Sequence, residues 1–135
     1  LIINAAGKNM SPANIEAELK VAGPLIGQAA VIGDGRPYNT ALIVLDADGA
    51  AAWAARNGRE GASLEELARD ARVRAAVQAE IDVANARLSR VEQIKRFHVV
   101  EGDWLPGGDE LTPTMKLRRR EIARRYAREI EALYA

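Results

Sequence analysis

At 135 residues and 48% apolar content, the chain is sized for one hydrophobic core and is short for two. Nineteen basic side chains balance nineteen acidic ones, which excludes a protein held to nucleic acid by its overall charge and leaves only local patches to weigh. With no cysteine, disulfides, thiolate metal ligands and cysteine nucleophiles all drop out, and a single histidine leaves little from which to build a zinc site.

The chain opens on LIIN, an apolar and β-branched start without an initiator methionine, which reads as a piece of something longer. Leu1 to Ile3 predicts a strand, and Asn4 to Asn9 predicts a turn in which Gly7 takes a positive φ. Ser11-Pro12 then supplies an N-cap and a first-turn proline for a short helix carrying Ile15, Leu19 and Lys20, stopped by Gly23-Pro24. Ala29 to Gly33 and Thr40 to Asp46 are two apolar strands split by the turn formers of DGRPYN, so a hairpin or a neighbouring pair is expected.

Gly49 to Arg56 predicts an alanine-rich helix ended by Asn57-Gly58, and Ser63-Leu64-Glu65-Glu66 is a capping box from which one long helical region is expected to run. Within it, Val73, Val77, Ile81, Ala84 and Leu88 form one apolar stripe, the pattern of a core-facing helix. Ile94 to Glu101 predicts a further strand, Gly102 to Glu110 a loop, and a last helix from about Leu117 carries Ile122, Tyr126, Ile130 and Leu133 on one face. Four or five strands with four helices and no repeat define an α+β class, with a small mixed sheet over residues 1–135 as one domain.

Chemistry has few places to reside. Lys116 follows Thr112-Pro113-Thr114-Met115 and precedes three consecutive arginines, so it projects from a loop whose backbone Pro113 restrains. There it is either a movable positive charge for phosphate or carboxylate oxygens, or a solvated lysine at the head of a basic helix. From Lys116 to Arg128 there are seven basic residues against one carboxylate, Glu121, which suits a phosphate-facing surface as well as a solvated helix face. Only six aromatics occur in the chain and Tyr126 alone falls within that run, so a stacking platform of interleaved aromatics for nucleic acid is lacking. Gly7-Lys8-Asn9 would let a thin ligand approach the backbone, or is simply a turn. His98, between Phe97 and Val99, has no nucleophile at a telling spacing and reads as structural, and Gly33 to Gly35 lacks the Lys-Ser/Thr of a P-loop.

Three stretches in order, LIINAAGKNMSPANIE, AAVIGDGRPYNTALIVLD and LTPTMKLRRREIARRY, resemble the C-terminal domain of long-chain fatty-acid CoA ligases, in the superfamily of acyl-adenylate-forming, AMP-binding enzymes. The resemblance covers essentially the whole chain. It implies the mobile lid of an enzyme in which fatty acid and ATP give acyl-adenylate and pyrophosphate, and CoA then displaces AMP. It also implies that ATP, Mg2+ and the acyl chain are held by an N-terminal domain absent from these residues, that no metal is bound by this one, and that the fragment is inactive alone.

Residue by residue, the resemblance assigns Lys116 to the lysine that bridges carboxylate and phosphate in adenylation, and Gly7, Lys8 and Asn9 to the turn beside the CoA pantetheine channel. Arg118, Arg119 and Arg120 remain candidates for contacts to CoA or ATP phosphates. Met115 and Ala6 stand where relatives often have glycine. A cytoplasmic setting is expected, with at most peripheral association at the inner membrane face. The competing readings are a free-standing module that docks an anionic partner through its basic C-terminal helix, and the lid of a peptide-synthetase adenylation domain.

Overall fold

The computed structural model describes Leu1–Ala135 and begins with a small antiparallel ribbon, β1 (Ile2–Ile3) paired with β2 (Asn9–Met10). Helix α1 (Pro12–Lys20) follows directly, because Ser11 is extended and its Oγ accepts from the Asn14 N–H at 3.3 Å, while Pro12 occupies the first turn. One turn apart on its inner face, Ile15 and Leu19 are fully buried.

β3 (Ile26–Ile32) and β4 (Asn39–Leu45) form the expected antiparallel pair, with β3 beginning three residues before its most apolar part. α2 (Ala47–Arg56) is capped by Asp46, whose side chain accepts from the Gly49 N–H at 2.8 Å. The helical region expected after Ser63 is two helices, α3 (Leu64–Ala68) and α4 (Ala71–Asn85). Asp70 causes the break: it is extended and its Oδ1 accepts from the Arg72 N–H at 2.8 Å, starting a new helix rather than continuing the old one. A 3-10 turn at Arg90–Glu92 leads to β5 (Ile94–Val99), which lies parallel to β4 and completes a sheet of order β3-β4-β5.

The last helix also divides, into α5 (Arg119–Arg125) and α6 (Ala127–Tyr134). Tyr126 at the junction leaves helical geometry, at φ −105° and ψ 23°, while its ring packs 5.9 Å from that of Trp104 and its hydroxyl accepts from Trp104 Nε1 at 3.0 Å. Tertiary anchoring of this one side chain outcompetes the helical spacing that predicted a single run.

β4 explains the layering. As the central strand it is buried along its whole length, and its side chains alternate between two cores: Ala41, Ile43 and Leu45 face α1, α2, α3 and α4, whereas Leu42 and Val44 face α5, α6 and Trp104. The uninterrupted apolar run TALIVL is the sequence of a strand covered on both sides. The molecule is thus an α+β domain with a small mixed sheet between two helical layers. No helix is long and apolar enough to cross a membrane.

Candidate functional site

Lys116 stands beside the base of a closed loop rather than on a free segment. Leu111 and Leu117 pair as an antiparallel bridge at its base, with Leu111 fully buried in the second core. Inside the loop the Thr112 N–H donates to the Lys116 carbonyl at 2.8 Å, and the Met115 N–H donates to the Thr112 carbonyl at 2.9 Å. Thr112 contributes its side chain too, its Oγ1 accepting from the Lys116 N–H at 3.0 Å. Pro113 is therefore a smaller part of the restraint than the threonine before it. Met115 has φ 68°, the left-handed region in which a Cβ is strained, and this is the position at which glycine would be relaxed. The Lys116 side chain is exposed.

The three arginines after Lys116 have different surroundings. Arg118 turns back on the preceding loop, its Nε donating to the Gly108 carbonyl at 3.1 Å. Arg119 crosses to α1 and grips the Glu16 carboxylate with both terminal nitrogens, at 2.7 and 2.8 Å. Glu16 is almost wholly buried and its Oε2 also accepts from the Val31 N–H of β3 at 2.8 Å, so one carboxylate joins α1, β3 and the start of α5. Arg120 has no side-chain partner. Farther along, Arg124 pairs with Glu121, and Arg125 pairs with Asp109 at 2.9 Å and Glu110 at 3.1 Å. Much of the basic run is thereby neutralised, which leaves Lys116, Arg118, Arg120 and Arg128 without a carboxylate.

A groove of about 400 Å³ opens beside Lys116, walled by α1, β3 and the Lys116 loop. Lys116 and Arg119 border it from the loop side, and Lys20 and Gln28 border it from the α1 and β3 side. Gly7, Lys8 and Asn9 do not line this groove. They form a separate exposed turn scaffolded by Asn4, whose Oδ1 accepts from the Ala6 N–H at 3.0 Å and the Lys8 N–H at 2.9 Å. Gly7 has φ 83°, and a Cβ built there would meet no atom within 4 Å, so backbone conformation requires glycine while the space outside stays open to an approaching ligand. Asn4 was expected only as the first residue of the turn, and its side-chain scaffolding had no local signal beyond an asparagine three residues before a glycine. α1 links the turn and the groove, since the turn leads through β2 into its N-terminus.

His98 lies on β5, half-buried, in a shallow depression with Glu101, Arg125, Tyr126 and Glu129. Burial pushes its pKa below the ordinary histidine value, only partly opposed by Glu129 and Glu101. No nucleophile adjoins it. No group of three or more His, Asp or Glu side chains is arranged to hold a metal ion.

Over residues 1–135 the chain matches the family described as AMP-binding enzyme C-terminal domain, and it belongs to that family. It is 58% identical, over all of its length and 24% of the relative's, to FadD11 of Mycobacterium tuberculosis, a protein provisionally named a fatty-acid–CoA ligase. It is 41% identical to the long-chain-fatty-acid–CoA ligase FadD15 of Mycobacterium tuberculosis, over 99% of this chain and 22% of that one. The chain thus spans about a quarter of the length of the curated relatives it matches. Among solved structures it is similar to the adenylation domain of a carboxylate reductase from Mycobacterium chelonae, with TM-score 0.76 and 24% identity over 99% of this chain and 19% of that one. A fatty acyl CoA synthetase of Mycobacterium tuberculosis is similar at TM-score 0.56 and 21% identity, covering 95% and 20%. At such identities these structures speak for the fold alone.

Proposed function

We propose that residues 1–135 are the mobile C-terminal lid of a fatty-acid–CoA ligase, working with an N-terminal domain of the same protein that holds ATP, Mg2+ and the acyl chain. In the first step a carboxylate oxygen of the fatty acid forms a bond to the α-phosphorus of ATP. The bond to the β-phosphate bridging oxygen breaks, and pyrophosphate leaves with the electron pair. In the second step the CoA sulfur attacks the acyl carbon and AMP departs, giving the thioester.

The observation that supports this reading best is the closed Leu111–Leu117 loop, which carries the exposed Lys116 on a backbone bonded on both sides to Thr112. Two anions must meet in adenylation, and one preorganised positive charge offsets the repulsion between them as the new bond forms. The loop is a rigid carrier for such a charge, and a domain that moves can withdraw it once pyrophosphate has gone. For the thioester step the Gly7-Lys8-Asn9 turn offers an open backbone surface beside which the thin pantetheine arm can pass. This chain supplies no metal-binding cluster, and Mg2+ belongs in this account to the phosphates and the N-terminal domain.

The test is fatty-acid-dependent exchange of labelled pyrophosphate into ATP by the full-length protein. Lys116→Ala should lower the exchange rate by roughly 10²- to 10³-fold. Exchange within a factor of two of the unaltered enzyme would contradict the assignment.

A further inference from the structure

The groove beside Lys116 carries more positive charge than one bridging lysine uses. It is bordered by three cations, Lys20, Lys116 and Arg119, and one anion, Glu16. Arg119 is bound at both terminal nitrogens to Glu16, so the charge of that pair is spent within the fold. Lys20 and Lys116 have no carboxylate partner, and both border the groove, Lys20 from α1 and Lys116 from the loop. Lys20 sits in the last turn of α1, where it also complements the helix dipole, but that role would be met by any lysine on that turn. What is particular is its place. It borders the groove together with Gln28 of β3, which can donate and accept hydrogen bonds.

Two unpaired ammonium groups around one opening repel each other, and the arrangement is relieved when an anion with more than one charge enters between them. Resting on the lid reading above, we propose that Lys20 is a second phosphate-positioning residue, holding the diphosphate part of the nucleotide while Lys116 bridges the carboxylate and the α-phosphate. A diphosphate could come from ATP or from CoA. The groove shares its wall with Lys116, and the CoA-side turn at Gly7 does not line it, so the ATP polyphosphate and the departing pyrophosphate are the fitting source.

The full-length enzyme tests this in the reverse direction, with preformed acyl-adenylate and inorganic pyrophosphate as the probe. Lys20→Ala should raise KM for pyrophosphate about threefold to tenfold with little change in kcat, and the gap should narrow as salt is added. Lys20→Arg should stay within twofold of the unaltered enzyme, because it keeps the charge. Lys20 is exposed, so neither variant threatens folding. An unchanged KM for pyrophosphate in Lys20→Ala overturns the proposal, as does a selective rise in KM for CoA. Lys116→Ala, measured alongside, tests the lid reading separately: its loss of exchange with an unaffected Lys20→Ala would sink this inference and leave that reading intact.

Discussion

Met115 is the only residue other than glycine with a positive φ, at 68°, and it immediately precedes the proposed catalytic lysine. Strain of this kind is held only where surrounding bonds over-determine the backbone, and here the Thr112 hydrogen bonds on both sides of the turn do so. Replacing Met115 by glycine removes the Cβ clash but frees the unfolded chain. A net gain of up to about 1 kcal/mol is expected in denaturant unfolding, and a loss would show that the methionine side chain packs usefully. His98 gives a second prediction at this scale. Its pKa is lowered in the folded state, so the unfolded chain binds more protons, and stability falls as pH drops through the unfolded value of about 6.5. His98→Gln should therefore lose less thermal stability than the unaltered domain between neutral pH and mild acid; an equal loss would place the acid sensitivity elsewhere.

Glu16 shows why elements matter more than the basic run does. Read along the chain, Arg119 is one of three interchangeable phosphate candidates; in the fold its partner is 103 residues away, on a helix whose sequence gives no hint of it. Arg119→Ala would leave a buried carboxylate with the Val31 N–H as its remaining partner, and since the arginine itself is half exposed the expected cost is about 1–3 kcal/mol in denaturant unfolding. A change below about 0.5 kcal/mol would mean that Glu16 finds other solvation. Local signals did carry the helix starts: Ser11-Pro12 and the Ser63–Glu66 box cap as their residue types require. The single helical region expected from Ser63 is broken at Asp70, and the stripe from Val73 onward lies C-terminal to that break, most of it in α4. Periodicity records which face is buried, not whether the backbone runs unbroken.

For the whole molecule, the α+β class was legible from the mix of strand and helix signals, while the burial of β4 on both faces emerges only in the fold. The groove was not legible, because Lys116 lies some ninety residues from Lys20 and Gln28 and joins them only in the fold. The same topology separates the groove with Lys116 from the open turn at Gly7, and on this separation rests the central claim that one small domain serves two chemical steps with two faces. The direct measurement is a pair of single-turnover assays on the full-length protein, acyl-adenylate formation from ATP and thioester formation from supplied acyl-adenylate and CoA, for Lys116→Ala and Gly7→Asn. Asparagine tolerates the left-handed turn, so that variant adds a side chain with little backbone cost. The account predicts opposite splits: Lys116→Ala loses adenylation and keeps thioester formation within a few-fold, while Gly7→Asn does the reverse. Parallel losses in both half-reactions for both variants would contradict it.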